Sequence, residues 1–140
     1  MTEYKKIFLD TAPIIYFLDA DINYADKVEK IFSDFLERES QMVTSTITCT
    51  EYLTYPFRMG NSEKVDAFYE FLSDCDIPMC SIDADTARKA AQIRATYKDF
   101  KTMDCLQLAA AYMQGCDLFL TNDRQLCQFK EIKCITLDEV

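Results

Sequence analysis

Short apolar runs alternate along this chain with stretches of helical periodicity, and that alternation restricts the fold more than any other feature. Leu118, Phe119 and Leu120 form one continuous run, the pattern of a strand buried on both faces. Ile7, Phe8 and Leu9 form another. Strands are predicted at residues 6–9, 42–45, 77–82, 118–120 and 133–137, with helical segments between most of them. Strands that alternate with helices imply an α/β fold whose parallel sheet is covered on both faces.

The helical segments carry their own punctuation. Pro13 suits the first turn of a helix bearing Ile14, Ile15, Phe17 and Leu18. Ala25, Val28, Phe32, Phe35 and Leu36 mark one face of the next. A third is expected to begin around Thr48, to kink or restart at Pro56, which lacks an N–H, and to end at Gly60. Residues 62–72 follow, with Val65, Phe68, Tyr69 and Leu72 on one side. Asp83 or Asp85 caps a helix holding Ala87, Ala90, Ala91, Ile93 and Tyr97. The last begins near Asp104, presents Leu106, Ala109, Ala110 and Met113, and stops at Gly115. No linker, repeat or low-complexity run interrupts the pattern, so residues 1–140 are expected to form one domain.

Absences narrow the chemistry. With no histidine, the chain has no Ser-His or Cys-His nucleophile, no histidine base and no His-containing zinc site. Its two glycines both fall past predicted helix ends, which leaves no glycine loop to cradle phosphate. The seven cysteines are scattered without C-x-x-C spacing, as expected of reduced thiols in a cytoplasmic protein. The first residues do not resemble a signal peptide, and no segment approaches the roughly 20 apolar residues of a membrane span. The net charge of −9 argues against a general polyanion binder, although acids that hold cations count towards that total.

Chemistry is therefore left to carboxylates. Asp10 directly follows the first predicted strand and Asp123 lies just past the fourth, at the strand ends where open α/β sheets place their ligands. Each acid also has an ordinary reading. Asp10 can be a loop residue or helix cap, and Thr48 with Glu51 three residues on has the spacing of a capping box. Asp104 can favour the positive end of a helix capped by Thr102, and Asp123 can cap the turn towards Leu126.

The acids gain meaning as a set. Residues 8–16 (FLDTAPIIY), 48–53 (TCTEYL), 102–111 (TMDCLQLAAA) and 119–123 (FLTND) follow one another in an order and spacing that resemble the PIN-domain family, in particular the VapC-type toxins of toxin–antitoxin pairs. The resemblance spans nearly the whole chain. Ala12 stands where many members have serine or asparagine, and Cys105 where alanine is usual.

That resemblance implies a three-layer α/β/α domain with a central parallel sheet and a metal-dependent ribonuclease site. By position the family's acidic quartet falls on Asp10, Glu51, Asp104 and Asp123, with Thr11, Thr121 and Asn122 as polar neighbours. It also implies an RNA substrate, a homodimer and an antitoxin partner. Tyr52, Tyr55, Phe57, Tyr69 and Phe71 are candidates for an exposed apolar surface.

The chemistry agrees independently. Clustered carboxylates repel one another, a divalent cation offsets that repulsion, and Mg2+ or Mn2+ suits all-oxygen ligands. A water activated by the cation, with one acid as proton acceptor, would be the nucleophile. Arg124, beside Asp123, is the best-placed candidate for a substrate phosphate, with Arg94, Lys98 and Lys101 as further basic residues. A non-catalytic PIN-fold module that binds RNA or protein is the rival. A phosphotransfer domain using Asp10 is more distant, because Ala12 replaces the second aspartate it would need.

Overall fold

The computed structural model describes residues 3–140. Strands β1 (Lys6–Leu9), β2 (Gln41–Ser45), β3 (Met79–Cys80), β4 (Leu118–Thr121) and β5 (Lys133–Thr136) form a parallel sheet in the order β3-β2-β1-β4-β5. Alternate side chains along each strand face opposite layers. Ile7, Leu9, Met42, Leu118, Leu120 and Ile135 pack against helices α1 (Thr11–Leu18), α2 (Ala25–Glu37), α3 (Thr46–Arg58) and α4 (Ser62–Asp74). Phe8, Val43, Phe119 and Cys134 meet α5 (Ala84–Thr96) and α6 (Thr102–Met113) on the other face. Phe8 and Phe119 are register partners on adjacent strands, and their rings stack with centroids 5.3 Å apart. The architecture is the three-layer α/β/α arrangement expected from the sequence.

The strand order positions the site. From β1 the chain moves outward to β2 and β3, then returns across the sheet to place β4 on the other side of β1. The seam between β1 and β4 is therefore where the direction of winding reverses, and the carboxyl ends of strands at such a seam open into a crevice. Asp10 closes β1 there, its N–H donating to the Leu120 carbonyl at 3.0 Å.

Several boundaries differ from expectation for identifiable reasons. β3 covers two residues rather than the stretch 77–82, because Pro78 has no N–H to pair and the chain leaves the edge to reach the Asp83 cap. Helix α3 begins at Thr46, with Ser45 as its cap accepting the Ile47 N–H, so the capping-box reading of Thr48 and Glu51 is wrong. Pro56 neither breaks nor restarts α3, since it lies in the last turn. Lys101, not Thr102, occupies the N-cap of α6 and makes no side-chain cap. That helix is buried on more than one stripe: Cys105, Gln107, Leu108, Ala109, Ala110 and Ala111 are all buried, whereas Met113 is exposed.

Helix ends share one device. Gly115 adopts φ +71°, its N–H bonds to the Tyr112 carbonyl, and the Cys116 N–H reaches back to Ala111, as in a Schellman motif. Ala20, Glu39 and Asp76 close α1, α2 and α4 in the same left-handed conformation without being glycine.

Candidate metal centre

Four carboxylates reach the β1–β4 crevice from four elements. Asp10 ends β1 and caps α1, Glu51 sits in the second turn of α3, Asp104 in the first turn of α6, and Asp123 caps the 3₁₀ turn Arg124–Gln128 after β4. Asp104 and Glu51 both add to the charge felt by Asp10, and Asp123 and Glu51 to that felt by Asp104, so the four share one electrostatic environment.

Their exposure is graded. Asp10 is 8% exposed, Asp104 half-buried, and Glu51 and Asp123 exposed. Burial, partly countered by hydrogen bonds from Thr121 and Thr11 and reinforced by the neighbouring acids, pushes the Asp10 carboxyl up to about 6. Burial raises Asp104 as well, followed by repulsion from Asp123 and Glu51. Among the described residues the ion pairs are Lys27–Asp138, Lys64–Asp19 and Lys89–Glu131, and none engages the four acids.

Two of the three polar neighbours predicted from sequence, Thr11 and Thr121, bond to the acids. Thr11 donates its hydroxyl to Glu51 Oε1 at 2.6 Å and its N–H to Asp10 Oδ1 at 2.9 Å. Thr121 donates to Asp10 Oδ2 at 2.8 Å. Asn122 instead turns towards α1, where its amide donates to the Tyr16 hydroxyl at 3.0 Å. Asp123 keeps its expected capping role, accepting the Gln125 N–H at 3.0 Å. Arg124 is exposed on the turn that follows.

Sequence reasoning gave no role to the buried polar group behind the acids. Gln107, 1% exposed and one turn after Asp104 on α6, donates from Nε2 to Thr48 Oγ1 at 2.8 Å and Thr11 Oγ1 at 3.2 Å. Its Nε2 also lies 3.5 Å from Asp10 Oδ1, while its Oε1 accepts the Ser45 hydroxyl. Thr44 completes the layer, donating to the Leu9 carbonyl and lying 2.8 Å from Thr48 Oγ1. A lone amide within the apolar run 105–111 was the available signal.

The donor chemistry fits a hard divalent cation: all-oxygen carboxylates, mutually repelling, with the Lys101 charge only partly countering the rise at Asp104. Among the described residues, however, no three acidic or thiol side chains stand within reach of a single ion. Glu51 and Asp123 each spend an oxygen on a hydrogen bond, so three-carboxylate coordination entails side-chain movement. Both are exposed and held by one hydrogen bond each, whereas Asp10 is buried and held at both oxygens.

A family model described as PIN domain matches residues 7–132. No curated protein sequence matches the chain. The fold is similar to that of VapBC2 from Rickettsia felis bound to a promoter DNA fragment, at 14% identity and TM-score 0.75 over 94% of this chain and 98% of that one. DNA-bound VapBC from Salmonella typhimurium gives 20% identity and TM-score 0.77, covering 95% and 98%. VapC20 from Mycobacterium tuberculosis, described as a sarcin-ricin loop cleaving toxin, gives 16% and 0.68, covering 91% and 98%. At such identities the likeness is one of fold.

Proposed function

The chain belongs to the PIN-domain family, and from that premise we propose that it is a divalent-cation-dependent endoribonuclease acting as the toxin of a toxin–antitoxin pair. The observation that carries this reading is the convergence of Asp10, Glu51, Asp104 and Asp123 on the β1–β4 crevice, with no ion pair to any of them among the described residues and only Lys101 partly offsetting the charge at Asp104. Those four side chains would hold Mg2+ or Mn2+, which when bound supplies Lewis-acid stabilisation of the phosphate and activation of water. Asp10 provides the fixed, desolvated oxygens of the site. Glu51, exposed and accepting the Thr11 hydroxyl at Oε1, would accept a proton at its other oxygen, Oε2. Arg124, exposed beside Asp123, supplies positive charge for the RNA backbone.

Partners follow from the surface and from relatives. Tyr55 and Phe57 on α3 are 61% and 66% exposed, and Met59 just past its end and Tyr69 on α4 are exposed as well; Tyr52 and Phe71, by contrast, belong to the core. Similar structures are described as VapBC or toxin–antitoxin complexes, and this apolar area is a surface for a second copy or an antitoxin peptide. No helix among the described residues is long and apolar enough to cross a membrane, and a cytoplasmic RNA substrate is consistent with free cysteines throughout.

Asp10→Asn is the deciding variant. Cleavage of total RNA, dependent on Mg2+ and lost with chelator, should disappear in this variant while its circular dichroism stays native. Undiminished cleavage by nuclease-free Asp10→Asn protein rules the mechanism out. The rival reading, a binding module without catalysis, draws on the separation of the carboxylates as they stand. Calorimetry with Mn2+ distinguishes the two, because a scaffold has no reason to bind the ion.

A further inference from the structure

A buried amide needs partners for both its donors and its acceptor, and leaving one unpaired costs the full desolvation of that group. A leucine would fill such a place with no polar atom to satisfy, so a fully paired glutamine inside an apolar helix calls for a reason. Gln107 is paired on every polar atom, and none of its partners belongs to its own helix. It joins the end of β2 and the start of α3, through Ser45 and Thr48, to the end of β1 and the start of α1, through Asp10 and Thr11.

The proton order in this cluster runs one way. Thr44 shares its proton between the Leu9 carbonyl and Thr48 Oγ1, and Ser45 gives its own to Gln107 Oε1. Gln107 Nε2 has two protons, one for Thr48 Oγ1 and one for Thr11 Oγ1 with Asp10 Oδ1 close by. Because the Thr11 oxygen accepts from the amide, its single proton is free to point at Glu51 Oε1, 2.6 Å away. One side chain, 1% exposed, thereby stands behind two acids on different elements, bonded to the Thr11 hydroxyl that holds Glu51 and 3.5 Å from Asp10 Oδ1.

We propose that Gln107 is a positioning residue, which fixes the Thr11 hydroxyl and through it Glu51, with its amide 3.5 Å behind Asp10 Oδ1, so that the Thr11–Glu51 pair is ordered before a cation arrives. The inference rests on the nuclease reading above. Groups behind metal-binding side chains typically alter affinity by about 10- to 100-fold when removed.

The test measures Mn2+ affinity by calorimetry, together with kcat and KM for RNA cleavage, in Gln107→Met, which keeps volume and removes both polar functions. Leu72→Ala, a core change on α4 away from the acids, serves as a control for lost stability alone. Gln107→Met should bind Mn2+ about ten-fold more weakly and lose kcat with KM little changed, whereas Leu72→Ala should lower the melting temperature without moving Mn2+ affinity. Thr48→Val carries the question should Gln107→Met fail to fold: it should weaken Mn2+ binding in the same direction, with recovery in Thr48→Ser. Wild-type affinity in Gln107→Met, or in Thr48→Val, overturns the positioning role and leaves the nuclease reading standing. A wild-type protein that neither binds Mn2+ nor cleaves RNA overturns the nuclease reading itself, and this inference with it.

Discussion

The Thr121 hydroxyl joins Asp10 to Asp123: it donates to Asp10 Oδ2 at 2.8 Å, and its oxygen accepts the Asp123 N–H at 3.0 Å. One fully buried side chain at the end of β4 thus holds the β1 acid and orients the turn carrying the β4 acid. Thr121→Val keeps the shape and removes both bonds. It should cost about 1–3 kcal/mol in urea unfolding, as buried partners left unpaired do. Since this bond lowers the Asp10 carboxyl, carboxyl NMR titration should find Asp10 titrating still higher in the variant.

The raised Asp10 value has a sign in stability. A carboxyl with an ordinary value of 3.8 unfolded and about 6 folded favours the native state fully below the lower value, and that contribution is lost as pH rises through the higher one. The shift corresponds to on the order of 3 kcal/mol. In chelator, wild-type stability relative to Asp10→Asn should therefore fall between pH 4 and pH 7. Asp104, also raised, acts in the same direction. Asp83 and Glu139, lowered by hydrogen bonds from Thr86 and Thr136, act oppositely, with stability lost as pH falls through their folded values. A flat difference between wild type and Asp10→Asn in urea titrations across that range contradicts the burial argument.

Cation binding should reverse this penalty. At a Mn2+ concentration 100 times its dissociation constant, ligand linkage predicts a gain of about 2.7 kcal/mol. The accompanying rise in melting temperature should be larger at pH 7.5 than at pH 5, because protons compete for Asp10. Differential scanning calorimetry with and without chelator measures it, and Asp104→Asn should diminish the rise.

Arg124 gives a salt-dependence prediction. If its side chain neutralises one phosphate of a single strand, Arg124→Ala should lower the slope of log affinity against log salt by about 0.7. An unchanged slope in fluorescence anisotropy on Asp10→Asn protein, which prevents cleavage during the titration, assigns the contact elsewhere.

The helix ends offer gains in stability. Ala20 at φ 52° and Glu39 at φ 58° occupy left-handed backbone that a side chain disfavours. Ala20→Gly and Glu39→Gly should each stabilise by about 0.5–1 kcal/mol, the relief of strain exceeding the added freedom of the unfolded chain. Urea midpoints should rise without a change in slope.

Much of this molecule was legible locally. Apolar runs mark all five strands, and capping, which involves residues only two or three positions apart, narrows the cap of α5 to Asp83 or Asp85, of which the structure selects Asp83, and offers the cap that Asp123 makes. Errors arose where local patterns were degenerate. Ser45 and Thr48 are both hydroxyls ahead of an acid, and only packing against Thr11, Thr44 and Gln107 shows that Thr48 faces inward rather than capping. Tyr52 and Tyr55 look equivalent in sequence, yet one stacks on Phe68 while the other faces solvent.

The sequence by itself determined where carboxylates fall relative to strands and helix starts, since that follows from apolar periodicity and backbone capping. Tertiary structure alone decided which of them meet and which loses its water. Thr121 and Asp10 are 111 residues apart, and they touch because β4 lies beside β1 rather than beside β3. Strand order is decided by pairing backbone groups that are nearly alike at every residue, so it leaves no local mark. The depth that leaves Glu51 exposed but buries Asp10 and Gln107 arises only when the layers close over the sheet.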